Sequence, residues 1–199
     1  MSEEKLLKNI KKLNIELTNY FTLLKHFDLF EKNNTHLFTN KELKEIKEHI
    51  GIVCFLISNY LDLTSSVIAI DKSKLDWEKK FHTKNSFLII YESNITFKKH
   101  QKNIHKLVSK YSNIKSEYQN LSNELKTWKK KYNYESTIKN FRNKAGAHYD
   151  ENFIEYYENL NEINRYQNSD AIFEFNNFLV KLINLWGKLT GKFQTELGG

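Results

Sequence analysis

The chain of 199 residues contains no proline and only six glycines. Proline interrupts helices because it lacks a backbone N–H and clashes with the preceding turn, and glycine supplies the backbone angles of tight turns. Few tight turns can therefore form, and nothing interrupts a long helix. This composition predicts an all-α protein with short polar connections.

Apolar residues recur alternately three and four positions apart in five segments, the spacing that places them on one face of a helix. Each helix buries such an apolar stripe against its neighbours. We therefore predict an antiparallel helical bundle of about five or six helices, folded as a single domain over residues 1–199. Trp77, Trp128 and Trp186 lie on the stripes and are assigned to the core. The stripes lie within residues 6–24, 46–60, 77–95, 114–132 and 172–193.

Two pairs of residues mark where helices begin. Thr39 followed by Glu42 offers the second helix a capping box, in which each side chain bonds the other's backbone N–H. Ser73 with Asp76 resembles a start signal for the third helix.

The later helix boundaries carry fewer signals. A single helix over 73–132 would greatly exceed the average length of roughly 11–12 residues, so we expect a break near 109–113. We also expect a short helix containing residues 136–149, and a mixture of loop and helix over 150–169.

Charge and apolar content bear on the partners of the chain. The formal net charge is +7 and the isoelectric point about 9.2, which favours nucleic acid or acidic lipid as a partner. The apolar stretch 50–70 is broken by Asn59 and Asp62, so it is interpreted as a buried helix rather than a membrane span. The first residues are polar and do not resemble a secretory signal. We expect a cytoplasmic protein with no membrane partner.

Arg142 is one of only two arginines in a chain with 31 lysines and arginines. Its planar fork of donors matches the oxygens of a phosphate two at a time. Asn143 follows directly and His148 lies six positions on. Histidine can act as base or acid near neutral pH, and asparagine can orient a phosphate or an imidazole. Together the three side chains can bind, orient and protonate a phosphodiester without a metal.

Helix geometry limits how one copy of the chain can use this pattern. Residues six apart on an ideal helix are roughly 120° apart around the axis and about 9 Å apart along it. Arg142 and His148 could act together if the long Arg142 side chain curled, if Gly146 distorted the helix locally, or if a second subunit completed the site at a two-fold interface.

In the segment from Arg142 to His148, a polar residue directly follows the arginine, and five residues separate the arginine from the histidine. This pattern resembles the motif of the HEPN superfamily. The resemblance implies a helical bundle that often dimerises, with two motif copies facing each other across a cleft. For active members it implies a metal-independent endoribonuclease with Arg142, Asn143 and His148 as catalytic residues. Many such members are toxins or abortive-infection proteins that defend bacteria against phage, and the surrounding pattern is most similar to the abortive-infection branch.

One departure from the family pattern concerns the partner. Members paired with a nucleotidyltransferase antitoxin have a tyrosine two residues after the motif histidine. Here Tyr149 follows His148 directly and Asp150 takes the second place, which argues against that antitoxin. Another antitoxin or a second defence protein stays open as a partner.

Lys129, Lys130, Lys131 and Lys144 are natural contacts for RNA phosphates, although a run of lysines is more often a solvated helix face. The sequence has neither a His-Glu-x-x-His pattern nor a glycine-rich phosphate loop, and its single cysteine, Cys54, cannot form a zinc cluster. We expect no metal and no cofactor.

Three functions are compatible with the sequence. The first is an endoribonuclease acting in phage defence or as a toxin, with RNA as substrate and a homodimer as the assembly. The second is a non-catalytic helical module that uses the same basic cleft to hold RNA, nucleotide or a protein partner. The third is a structural dimerisation domain in which Arg142 and His148 form interface hydrogen bonds.

Overall fold

The computed structural model describes residues 3–33, 39–142, 153–162 and 168–197. These residues form helices and turns and contain no strand, so the prediction of an all-α bundle is confirmed. Within these ranges, six helices have ten residues or more, and α5 is a single turn. The helices are α1 (Glu3–Lys32), α2 (Asn40–Lys72), α3 (Asp76–Val108), α4 (Ser112–Lys131), α5 (Ile138–Phe141), α6 (Phe153–Glu162) and α7 (Asn168–Leu197).

The chain divides into two compact units, Met1–Leu61 and Asp62–Gly199. The first unit contains α1 and most of α2. The second contains the end of α2 and the helices that follow it. The prediction of one domain over residues 1–199 stays a prediction.

In the first unit, the predicted start and apolar stripe of α2 are confirmed. The backbone N–H of Thr39 donates to Glu42 at 2.9 Å, and the N–H of Glu42 donates back to the Thr39 hydroxyl at 3.3 Å. This reciprocal capping box satisfies two N–H groups that the first turn leaves unpaired. Each residue of the stripe is buried: Ile46, Ile50, Val53, Ile57 and Tyr60.

The length and apolar character of α2 also satisfy the criteria for a membrane span. Its most apolar 18-residue window has a mean hydropathy of 1.6, and 39% of that window is buried within the protein. A core helix passes the same test.

In the second unit, α4 and α7 pack as an antiparallel pair. Three ion pairs join them, Glu117–Lys188, Glu124–Lys181 and Lys131–Glu174. Successive pairs advance by seven residues along α4 and retreat by seven along α7, so the two helices run in opposite directions. Seven residues are close to two helical turns, which returns each pair to the same edge of the interface.

Apolar side chains fill the interface that these ion pairs border, as the sequence predicts. Trp128 and Trp186 are both buried, which confirms their assignment to the core. The Trp128 ring lies 5.0 Å from that of Phe175, and its Nε1 donates to the carbonyl of Ala171 at 3.1 Å. The Trp128 contact therefore combines apolar packing with a hydrogen bond that satisfies the indole.

The apolar stripe predicted for α3 is wrong, since its first two residues are exposed and Leu88 and Ile95 are only half-buried. Trp77 and Phe81 are 55% and 51% exposed, so Trp77 is not a core residue. The buried face instead includes Ser86, Ser93 and Asn94 together with several apolar residues. These polar side chains donate to carbonyls four residues earlier in the same helix, at 2.9, 2.6 and 2.8 Å. Such internal bonds lower the cost of burying them, and a pattern that counts only apolar residues misses this face.

The predicted break between the third and fourth helices is confirmed, because α3 ends at Val108 and α4 begins at Ser112. The start of α3 at Asp76 is also correct, but Ser73 does not cap it. The Ser73 hydroxyl donates to the carbonyl of Ala69, in α2.

Two further predicted segments are described in part. Of the helix predicted to contain residues 136–149, the structure shows α5, which begins at Ile138 because residues 136 and 137 belong to a turn, and residues 143–149 lie outside the described residues. Within 150–169, α6 supplies the predicted helical part.

A buried hydrogen-bonded pair joins the end of α2 to α7 and gives a test of the packing. Thr64 is fully buried, and its hydroxyl lies 3.1 Å from the Nδ2 of Asn176, which is 6% exposed. We expect Thr64→Val to lower the free energy of unfolding by about 1–3 kcal/mol, because the buried amide loses its partner. Urea denaturation measures this change.

Thr190→Val is the matched control, since the Thr190 hydroxyl donates to the Trp186 carbonyl of its own helix. Its effect should be smaller. The double substitution Thr64→Val with Asn176→Leu should recover part of the loss. An equal loss of unfolding free energy in Thr64→Val and Thr190→Val would show that the Thr64–Asn176 pair does not stabilise the packing.

Candidate functional site

Arg142 directly follows α5, and two buried residues anchor this short helix. Ile138 is 1% exposed and Phe141 is 6% exposed. The Phe141 ring meets that of Phe87 of α3 edge to face, with centroids 5.9 Å apart. The α5 turn is therefore fixed against α3, and Arg142 is held beside that helix.

A Schellman turn joins α4 to α5. Asn133 has a φ of 47°, a left-handed conformation that asparagine tolerates better than most residues. The N–H of Tyr134 donates to the carbonyl of Lys129 at 2.9 Å, and that of Asn133 to Lys130 at 3.4 Å. The turn reverses the chain and brings Tyr134 back against the end of α4.

The guanidinium of Arg142 rests on α3. Its Cζ lies 5.2 Å from the centroid of the Tyr91 ring, and Nη2 lies 3.7 Å from a carboxylate oxygen of Glu92. The side chain is 37% exposed. The guanidinium lies over the Tyr91 ring in a cation–π contact, and a guanidinium carries five N–H donors in its own plane. Arg142 is thus positioned, and it retains donors for an anion.

A cavity of about 360 Å³ lies beside Arg142, between α3, α4 and the turn that leads to α5. Tyr91, whose ring contacts the guanidinium of Arg142, is also part of the cavity wall. Four lysines of the described residues line the cavity: Lys98, Lys126, Lys129 and Lys139. Arg142 and these four lysines form one basic region within the second unit.

The four lysines differ in how far their charges are neutralised. Lys139 pairs with Glu135 at 3.0 Å. Lys98, Lys126 and Lys129 form no ion pair within the described ranges. Burial, together with the positive charge of Lys98, lowers the pKa of Lys129, while Glu135 acts in the opposite direction. The cavity wall therefore carries three lysines without an ion pair in the described ranges, beside the Lys139–Glu135 pair.

The predicted site residues fall in different places. Arg142 lies next to the cavity and Lys129 lines it. Lys130 is exposed and is not part of the cavity wall. Lys131 pairs with Glu174 at 2.6 Å on the α7 side of α4. Asn143, Lys144 and His148 lie outside the described residues.

Sequence reasoning missed Glu92, Asn94 and Tyr134, and it gave Tyr91 no role beyond its place on a helical stripe. Each of these residues contacts Arg142 or lines the cavity. They matter because α3 is brought beside α4 and α5, and no local pattern reports that contact.

No cluster of three or more histidine, cysteine, aspartate or glutamate side chains suited to a metal occurs within residues 3–33, 39–142, 153–162 and 168–197. No protein-family model matches the chain, and no curated protein or solved structure is significantly similar to it.

The lowered pKa of Lys129 predicts that its charge opposes folding. The penalty is fully present below the folded-state pKa and disappears as the pH rises through the ordinary value of 10.5. Lys129→Met removes the charge and keeps the apolar stem. We expect it to raise the free energy of unfolding at about pH 8, and this gain to shrink towards about pH 11. Urea denaturation across this pH range measures the effect.

Lys102→Met is the matched control, since Lys102 is exposed on α3 and does not line the cavity. Its stability should change by less than about 0.5 kcal/mol at every pH. A loss of stability in Lys129→Met that does not depend on pH would show that packing of the side chain outweighs its charge.

Proposed function

We propose that the chain is a metal-independent endoribonuclease of the HEPN kind. The observation that carries the proposal is the position of Arg142 beside a cavity with three lysines that form no ion pair in the described part of the chain. An RNA strand brings one negative charge per nucleotide, and lysines that neutralise phosphates supply most of the sequence-independent affinity. The basic region would hold the strand while Arg142 engages the phosphate that is cleaved.

Arg142 is suited to stabilise the charge that develops on that phosphate. Its 3.7 Å separation from Glu92 is longer than the 2.7–2.9 Å typical of a strong charge-assisted hydrogen bond. An incoming phosphate can therefore compete with Glu92 for the guanidinium. Tyr91 would keep the plane of the guanidinium in place during this exchange, so that less freedom is lost when the phosphate binds.

The sequence motif supplies the remaining roles. His148 would act as general acid or base on the 2′-hydroxyl or the leaving 5′-oxygen, and Asn143 would orient the phosphate. The spacing between Arg142 and His148 favours a homodimer in which two motif copies meet at one cleft. A role in phage defence or as a toxin follows from the resemblance of the motif and belongs to the same proposal.

A structural role for Arg142 is the second candidate. The contacts with Tyr91 and Glu92 tie the end of α5 to α3, and such contacts alone would account for an arginine at this position. On this alternative the protein holds RNA or a protein partner without cutting it, or serves as a dimerisation domain. Substitution of Arg142 would then change the Tm or the oligomeric state and leave RNA ends unaltered.

RNA cleavage by the purified protein in EDTA tests the proposal. We expect Arg142→Ala to reduce the cleavage rate by about 10²–10³-fold, because it removes a cation from the transition state. We expect His148→Ala to reduce it by about 10²–10⁴-fold, because it removes the acid or base. Arg142→Lys keeps the charge but loses the bidentate fork, so its rate should lie between those of the wild type and Arg142→Ala.

Each variant is compared with the wild type by its Tm and by its mass in solution, which separates loss of chemistry from loss of fold or assembly. Lys102→Met, an exposed lysine outside the cavity, controls for the removal of one positive charge. Equal cleavage by wild type, Arg142→Ala and His148→Ala would remove both residues from the mechanism.

A further inference from the structure

A cluster of exposed apolar side chains lies in the second unit, where α2 passes into α3. Leu75, Trp77 and Phe81 are 62%, 55% and 51% exposed. Leu75 directly precedes α3, and Trp77 and Phe81 are four residues apart within it, so both rings project from one face of the helix. We name these three residues the aromatic tip. Large apolar groups that gather on a surface mark an interaction site, whereas single ones are ordinary.

The helix that carries the aromatic tip is held in place by a buried lysine. Lys80 is 8% exposed, and its Nζ donates to Oδ1 of Asn161 at 2.8 Å and pairs with Asp76 at 2.7 Å. The same Nζ lies 5.8 Å from the centroid of the Tyr157 ring. These contacts fasten the first turns of α3 to α6. The aromatic tip therefore projects from an ordered helix.

The charges around the aromatic tip favour an anionic partner. Residues 71–81 contain four lysines and three acids. Two of these acids are engaged within the protein, because Asp76 is held in its ion pair and Glu78 accepts the N–H of Lys74 at 3.2 Å. Lys74 and Lys79 are exposed, and their ammonium groups form no ion pair in the described part of the chain. The exposed lysines therefore outweigh the single acid that is left.

This combination of side chains suits the surface of an anionic lipid bilayer. Tryptophan is enriched at the level of the lipid headgroups, and phenylalanine and leucine enter the boundary beneath them. Lysines beside them lay their stems on the apolar layer while the ammonium groups reach the headgroups. A helical peptide, by contrast, needs a groove that receives its apolar face. The aromatic tip lies at a turn between two helices with each side chain more than half exposed, so it suits a bilayer better than a peptide.

We propose that the aromatic tip docks the protein on the surface of an anionic lipid bilayer. The three apolar side chains enter the boundary between headgroups and acyl chains, and Lys74 and Lys79 contact the headgroups. The contact is reversible, because few side chains take part. It departs from the sequence-based expectation of no membrane partner, which concerned a spanning helix and a secretory signal. It does not depend on RNA cleavage, since the aromatic tip contains none of the residues assigned to that reaction.

The fluorescence of Trp77 tests this contact directly. The other two tryptophans, Trp128 and Trp186, are 5% and 1% exposed, so a change on binding comes from Trp77. The probes are vesicles of phosphatidylcholine, either alone or mixed with about one third phosphatidylserine. We expect the mixed vesicles to shift the Trp77 emission to shorter wavelength, and lipids brominated on their acyl chains to quench it. Vesicles of phosphatidylcholine alone should bind at least about tenfold more weakly.

Substitutions in the aromatic tip test which side chains enter the bilayer. Trp77→Ser and Phe81→Ser should each lower partitioning into mixed vesicles by about tenfold, measured by sedimentation, because each removes a ring from the apolar layer. Trp77→Phe should bind like the wild type but lose the emission shift. Phe173→Ser is the matched control, since Phe173 is 53% exposed on α7 outside the aromatic tip and its loss should leave binding unchanged. All four variants should keep the wild-type Tm, because each replaced ring is exposed.

Charge reversal tests the role of the lysines. The double variant Lys74→Glu with Lys79→Glu should lower partitioning into mixed vesicles by at least about tenfold, because two attractive charges become repulsive. Lys99→Glu with Lys102→Glu is the control, since it makes the same change in net charge on an exposed part of α3 beyond the aromatic tip. Its effect should stay below about threefold, because charges farther from the bilayer are screened by salt.

Several outcomes would overturn the proposal. They are mixed vesicles that neither bind the protein nor shift its emission, wild-type partitioning by Trp77→Ser and Phe81→Ser, and an equal loss in the two charge-reversal doubles. A mass in solution that doubles in the wild type but not in Trp77→Ser would show that a second copy covers the aromatic tip instead. A six-nucleotide single-stranded RNA that shifts the Trp77 emission more than the mixed vesicles do would assign the surface to RNA.

The vesicle test is separable from the RNA cleavage test. Arg142→Ala should bind mixed vesicles like the wild type, because Arg142 lies outside the aromatic tip and keeps its contacts with Tyr91 and Glu92 on a later part of α3. Vesicle binding by a protein that cuts no RNA would leave the membrane contact standing without the endoribonuclease. RNA cleavage by a protein that binds no vesicles would do the reverse.

Discussion

The packing of Trp128 against α7 is the contact on which the rest of the site depends. Its ring packs against Phe175, and its indole N–H donates to the carbonyl of Ala171. These two contacts fix the distance of the last turns of α4 from α7 and the rotation of α4 about its own axis. The Schellman turn at Asn133 begins from that fixed point. Through this turn, the packing in the core determines where the cavity wall and Arg142 lie.

The buried faces of α4 and α7 could be predicted from sequence because each helix follows a simple rule. An apolar residue at every third or fourth position identified the buried faces, and Trp128 and Trp186 lie where this spacing places them. The same rule failed on α3, where Trp77 is exposed and Ser86 is buried. A serine that bonds its own helix is polar in composition but costs little to bury, and hydrophobic spacing cannot recognise it.

The candidate site was predictable at Arg142, where a rare residue type stood out from a lysine-rich chain, and at Lys129 within the lysine run 129–131. Tyr91 and Asn94 carry no comparable signal, since tyrosine and asparagine are common in this sequence. Their importance arises because α3 lies against α4 and α5, and the Phe87–Phe141 and Tyr91–Arg142 contacts each join residues more than fifty positions apart. Lys131 shows the reverse case: it belongs to a conspicuous lysine run, yet its partner on α7 directs it away from the cavity.

The ladder of ion pairs between α4 and α7 has a consequence for how the protein is made. Some forty residues separate Lys131 from Glu174, so α3, α4 and α5 leave the ribosome before the helix that anchors Trp128. Trp128 cannot be buried against α7 until that helix has been synthesised and docked. A nascent chain therefore carries the residues of the cavity while their support is still incomplete. Completion of the site is tied to translation of α7, which delays its assembly in the growing chain.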